Sequence, residues 1–307
     1  MTTHDTIRGG RRPRSDQWAS VQALLERHRQ HLPTSPRILA DLQAMLSDKT
    51  SGAAEIGALL SRDPGLVATL LGLVNSAYYG LAERVLDARL AVAYLGTNEV
   101  HRLVVVAAIA NAFTRLSPSM LRSYWLQAHL TANISRRLVE TRAVWLSRSC
   151  AWSVGLLHDV GALVRMKLEP EVWQEFEARR VSLQVLPEEA EEVLGLAPTP
   201  IFGGILCRAW ELPGPFEIVC RSSRTGVAPA ACRADTAEYV RLISAASFLA
   251  RLELDALGEP SREEASRRVI DTLSIADGEL RQLLVLTREL RERAEQSVDA
   301  YLVPRAV

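Results

Sequence analysis

An imidazole and a carboxylate stand side by side at His158 and Asp159, within the run Gly155-Leu156-Leu157-His158-Asp159-Val160-Gly161. Such a pair at the end of an apolar helix can grip one metal ion from two sides, yet it brings only two ligands. A hydrolytic centre takes about three protein ligands and keeps a position open for water. The others must come from elsewhere in the chain. All six histidines, His4, His28, His31, His101, His129 and His158, lie at or before residue 158, so the second half offers no imidazole. His129, on the preceding helix, is the candidate to join the dyad. Against it stands the commoner fate of a lone histidine near a core, which is a hydrogen-bonded structural role. The four cysteines, Cys150, Cys207, Cys220 and Cys232, are widely spread without a C-x-x-C pair, so they suggest neither a zinc ribbon nor a disulfide framework.

Three further groups merit a structural and a functional reading. Asn75 and Ser76 can satisfy backbone groups where a helix ends, while Tyr78 and Tyr79 can plug a joint between helices or face a partner. Trp210, Leu212 and Pro213 read as a helix stop with an aromatic anchor. Arg62 and Arg102, near helix starts, could receive an anion, although arginines on a surface are common.

The elements that must position these groups are helical throughout. Trp18, Val21, Leu24 and Leu25, then Ile38, Leu39, Leu42, Met45 and Leu46, fall at helical spacing on either side of Pro33 and Pro36. Asp63 before Pro64 predicts a capped helix start, with Leu66, Val67, Leu70, Leu71 and Val74 on its apolar face. Gly80 and Gly96 lie where left-handed residues would end helices, and Thr97 or Asn98 can cap the next one. Helices follow from Pro118 to about Arg142 and from about Ser147 to Leu157. No stretch alternates with period two between hairpin turns, so the fold class is all-α, a multi-helix bundle.

Residues 1–15, rich in arginine and glycine, predict a disordered basic tail. Residues 16–225 form the expected main domain. A loop from about Arg221 to Asp235 separates it from a helical extension over 226–307, with a charged connection near Pro260. The last helix carries Leu280, Leu283, Leu284, Leu290, Ala294, Val298 and Leu302 as an apolar stripe, suited to docking on its own bundle or to a coiled coil.

Bulk composition narrows the function classes. The chain has 307 residues, 48% of them hydrophobic, enough for a substantial core. Basic and acidic residues balance at 36 each, so no global field attracts nucleic acid or an anionic membrane. Arginine supplies all of the basic side except Lys49 and Lys167. The longest apolar run, Leu103 to Ala110, is far too short to span a bilayer. A cytoplasmic location without a membrane partner is the expectation.

Several of these motifs occur in a familiar order. Leu32-Pro33, Ile56, Ser61-Arg62-Asp63-Pro64, Leu70, Asn75-Ser76-Ala77-Tyr78-Tyr79-Gly80, Ala91 to Gly96 and the run to Val106 resemble the first half of an HDOD domain. Trp125, Ala132, the Gly155 to Gly161 run, Gly195, Gly203 and Trp210-Glu211-Leu212-Pro213 resemble its HD-related second half. The resemblance covers about 200 residues and implies kinship with HD phosphohydrolases, which include cyclic-di-GMP phosphodiesterases, through a branch regarded as non-catalytic signalling modules. Placed on that pattern, the opening ligand histidine would fall at Gln127, later histidines near Pro198 and around Ser222 to Arg224, and the final aspartate at about Ser247. Only His158 and Asp159 keep the expected residue types.

The resemblance therefore implies a bacterial-type regulator that binds other signalling proteins or a small nucleotide, with no metal and no cofactor. Asp159 would accept from free backbone N–H groups and His158 would bridge helices. Two alternatives stay open: a residual metal-dependent phosphohydrolase of nucleotides or cyclic dinucleotides centred on His158, Asp159 and His129, and a cyclic-dinucleotide or nucleotide receptor that does no chemistry.

Overall fold

Ser117 followed by Pro118 opens the helix around which the second half is built. The Ser117 hydroxyl accepts from the Met120 amide at 3.4 Å, and the proline sits in the first turn, where no N–H is needed. This helix belongs to a computed structural model that describes residues 14–28, 38, 41, 45, 53–60, 62, 64–75, 84–113, 116–212 and 214–302.

Among the described residues every regular element is an α-helix and no strand occurs. In chain order they are α1 (Arg14–Arg27), α2 (Ala53–Leu60), α3 (Pro64–Val74), α4 (Ala88–Leu95), α5 (Thr97–Ala112), α6 (Pro118–Arg142), α7 (Arg148–Leu157) and α8 (Val160–Leu168). There follow α9 (Pro170–Leu183), α10 (Pro187–Val193), α11 (Thr199–Ala209), α12 (Pro215–Ser222), α13 (Ala234–Leu254), α14 (Glu259–Leu273) and α15 (Asp277–Leu302). No helix among the described residues is long and apolar enough to cross a membrane.

The helices form two groups. In the first, α2, α3, α4 and α5 pack on one another and bury Ile56, Leu60, Leu66, Leu70 and Leu103; α5 then lies against α7 of the second group. There, α6 carries α7, α13 and α15 on its flanks, and α8 lies on α11. In α13 every residue from Leu242 to Leu252 is buried. Helix α1 reaches across to α11, where the Trp18 ring meets the Arg221 guanidinium at 4.5 Å and that of Arg208 at 5.3 Å. Glu217 braces both cations, which frees their planes to stack on the indole.

Several local expectations are corrected. Helix α1 begins at Arg14, so the last two residues assigned to the tail are helical, since a first turn needs no apolar side chain. Residues 1–13 lie outside the described residues, as do Asp63, Ser76, Tyr78, Tyr79, Gly80 and Pro213. Gly96, with φ 79°, ends α4 and is also the N-cap of α5, which leaves Thr97 inside the helix instead of capping it. Pro260 stands in the first turn of α14, not in a connection. The loop after α12 is shorter than expected, because α12 runs to Ser222 and α13 starts at Ala234.

Helix α15 lies along α6 and also touches α13 and α14, with Leu280, Leu290, Ala294 and Val298 of its stripe buried. The side chain of Leu302 lies outside the described residues. Arg142 and Arg122 of α6 pair with Glu279 at 2.8 Å and Asp299 at 2.9 Å, tying both ends of α15 down.

Candidate functional site: the His158–Asp159 junction

Helix α7 ends at Leu157, and His158-Asp159 turn the chain into α8. Two glycines set how closely other helices approach this turn. A Cβ on Gly155 would lie 2.9 Å from Ser135 Oγ and 3.0 Å from Ala132 Cα, so α7 and α6 cross in near-backbone contact. A Cβ on Gly161 would lie 2.2 Å from the Thr199 carbonyl oxygen and 2.7 Å from the Gly203 nitrogen, so α8 rests directly on α11. The dyad is held where these helices meet.

His158 is buried, with 2% of its surface exposed. Its Nδ1 lies 2.7 Å from the Gly155 carbonyl oxygen, which can only accept, so Nδ1 carries the proton. Nε2 is then an acceptor, and the Ser247 hydroxyl of α13 donates to it at 3.0 Å. Burial pushes the imidazole pKa down to about 4, against the opposing pull of Asp159 and the Gly155 carbonyl, and keeps the ring neutral. The Ser247 carbonyl accepts from Gln127 Nε2 at 3.4 Å, and that amide also reaches Thr131 Oγ1 at 3.5 Å. Gln127, His158 and Ser247 thus meet across α6, α7 and α13, with Asp159 beside them.

Asp159 does not cap α8, contrary to expectation: its side chain accepts no hydrogen bond from the helix amides. Guanidinium groups outcompete them. Arg251 of α13 approaches one carboxylate oxygen at 3.3 Å and Arg224, just past α12, approaches the other at 3.8 Å.

From this pair an alternating line of charge runs in both directions. One arm goes from Arg224 to Glu191 at 2.5 Å and on to Arg165 at 3.2 Å. The other goes from Arg251 to Asp255 at 3.3 Å, to Arg180 at 3.0 Å and to Glu177 at 2.9 Å. Arg165 and Glu191 are almost wholly buried, at 1% and 3% exposure. Thr199 donates to Glu191 from its amide at 2.9 Å and from its hydroxyl, and the Arg165 guanidinium lies over the Phe202 ring at 4.6 Å. Burial lowers the pKa of Arg165 although Glu191 and Glu169 oppose it. For Arg224 burial also acts downward, but Glu191, Asp159 and Glu188 outweigh it and raise the pKa.

The other expected residues take structural positions. His129 is two residues from Gln127, about 200° around the helix, and packs between Trp125 and Trp152 at ring separations of 6.0 and 5.7 Å. Burial and the Arg102 charge lower its pKa to about 3. Arg102 pairs with Glu99 and stacks on Trp152 at 5.9 Å; Arg62 lies exposed in a turn. Pro198 is the N-cap of α11, next to the Glu191 cluster. Asn75 ends α3, donating to the carbonyls of Leu71 and Val85 and accepting from the Val85 amide, each at 2.8 Å. Trp210 is buried against Phe113 at 6.2 Å and joins the two helix groups.

Sequence reasoning missed Arg251, Arg165 and Glu191, and met Arg224 only as the end of the Ser222 to Arg224 stretch where a later histidine would fall. In a chain whose basic residues are nearly all arginine, none of them carries a local signal.

The arrangement does not fit a divalent cation. The one nitrogen of His158 that could ligate already accepts a hydrogen bond, and Asp159 already faces two cations that would repel a third. Among the described residues no three His, Cys, Asp or Glu side chains gather as a metal cage.

Comparison with known proteins accounts for the architecture. The HDOD domain family matches residues 32–224. This chain belongs to that family. A curated relative of the HDOD chain, an uncharacterized protein of Treponema pallidum (strain Nichols), is 25% identical over 267 residues, covering 87% of this chain and 50% of that protein. The chain thus spans about half the length of that relative. Among solved structures, an HDOD domain protein of unknown function from Geobacter sulfurreducens aligns with a TM-score of 0.66 and 21% identity, over 91% of this chain and 98% of that one. A Marinobacter aquaeolei VT8 protein, provisionally named a signal transduction protein, gives a TM-score of 0.72 at 21% identity, over 94% and 65%. One from Shewanella amazonensis SB2B, provisionally named a phosphohydrolase, gives 0.64 at 21%, over 91% and 98%. At such identities these likenesses establish the fold alone. The HDOD match stops at residue 224, yet Ser247 and Arg251, which complete the dyad's surroundings, come from α13 beyond it.

Proposed function

We propose that this HDOD protein is a regulator that acts by binding and does not turn over a phosphoester. The observation that carries the reading is the state of Asp159: two fixed guanidinium groups face its oxygens. A hydrolytic centre needs an ion with an open position, so that bound water can lose a proton near neutral pH. Here the carboxylate is already neutralised and the imidazole already has its partners. The name of the Marinobacter protein, a signal transduction protein, agrees with such a role; that of the Shewanella protein points to hydrolysis.

Of the two ligand classes open to a regulator, other signalling proteins suit this chain better than a small nucleotide. The arginines that surround the dyad are engaged with carboxylates, and a phosphate would have to displace one of them.

The test is a hydrolysis screen of the full chain with Mn²⁺, Mg²⁺, Fe²⁺ or Zn²⁺ against bis(p-nitrophenyl) phosphate, nucleotides and cyclic dinucleotides. The expected turnover is no greater than that of an Asp159→Asn variant. Hydrolysis that this substitution abolishes overturns the proposal.

A further inference from the structure

Asp159 is a carboxylate at the meeting point of α7, α8 and α13 with 14% of its side chain exposed, and it makes no helix-capping bond. A carboxylate so placed requires a compensating positive charge. Arg251 approaches one oxygen and Arg224 the other, from α13 and from the end of α12, two segments far apart in sequence. Their side chains are themselves largely covered, at 11% and 14% exposure. Each is held in place by a second acid, Asp255 for Arg251 and Glu191 for Arg224. Beside them the Ser247 hydroxyl oxygen lies 3.0 Å from His158 Nε2, on the side where an ion bound to that nitrogen would sit.

We propose that Arg251 and Arg224 stand in for a divalent cation as the permanent counter-charge of Asp159, so that the fold closes around its dyad without a metal. The proposal rests on the non-catalytic reading above and extends it to a role for two arginines, one at the last residue of the HDOD match and one beyond it. Arg251 is then a positioning residue: it ties α13 to the turn between α7 and α8, as an ion shared by those elements would.

A counter-charge differs from an ordinary packing residue in one measurable way. Removing Arg251 leaves the Asp159 anion with Arg224 at 3.8 Å as its remaining counter-charge, so removing the anion as well should restore stability. Thermal melting of the full chain is compared for wild type, Arg251→Met, Asp159→Asn and the double variant, each in EDTA and in 1 mM MnCl₂. Wild type should melt at one temperature in both buffers. Arg251→Met should melt lower by roughly 5 °C, and the double variant should recover at least half of that loss. If Arg251→Met does not fold, Arg251→Lys, which keeps the charge on a shorter reach, is expected to fold and to lose stability when Asp159→Asn removes the anion it answers; no change on that addition overturns the proposal.

Wild type that loses several degrees in EDTA overturns the proposal, and so does a double variant no more stable than its arginine-substituted parent. The two readings fail separately. Metal-sensitive melting without turnover removes only the counter-charge, whereas metal-independent turnover removes only the non-catalytic role.

Discussion

At the scale of single residues, two buried neutral imidazoles make the fold sensitive to acid. An unfolded histidine titrates near pH 6.5, whereas burial lowers His158 to about 4 and His129 to about 3. Between those values the unfolded chain binds more protons than the folded one. The stability these groups contribute is therefore complete above about pH 6.5 and is lost as pH falls toward the folded values. Each group costs up to about 1.4 kcal/mol per pH unit across its window. Urea denaturation between pH 7 and pH 4.5 should show this decline, and a His129→Phe variant should show about half the slope. An unchanged slope in that variant would mean that His129 is charged in the folded protein.

At the scale of elements, the closest helix crossing decides how the dyad is presented. Gly161→Ala places a methyl group against the backbone of Thr199 and Gly203, and backbone cannot swing aside. The expected cost is about 1–3 kcal/mol, read as a lower urea midpoint. Gly278→Ala, where the nearest atom is 3.9 Å away at the far end of the exposed Arg281 side chain, should be neutral or slightly stabilising. The helices themselves were largely legible in the sequence, because their signals are local. Ser117-Pro118 and Arg142 bound α6, and Ser147 caps α7 by accepting from the Cys150 amide at 3.2 Å. The dyad was legible for the same reason, as adjacent residues between spaced glycines. Its partners were not. Arg251 and Asp159 are 92 positions apart, and ion pairing leaves no periodicity for a sequence to display. Asp159 illustrates the limit: local rules made it a helix cap, and two distant arginines overrode them.

At the scale of the molecule, the segment beyond the family match is part of the core. Helix α13 packs on α6, α7 and α12, and it brings both Ser247 and Arg251 to the dyad. A chain cut after residue 225 would expose the opposing faces of α6 and α7 and strip Asp159 of Arg251. Such a fragment is expected to lack a cooperative thermal transition by circular dichroism; a sharp transition would show that the matched region folds alone. The alternating line from Arg165 through Asp159 to Glu177 runs through this assembly, and each interior member serves two neighbours. In mechanical terms it is a strut. Bending between α8 and α13 would part Asp159 from Arg251, so the line favours changes of shape that pivot at seams it does not cross.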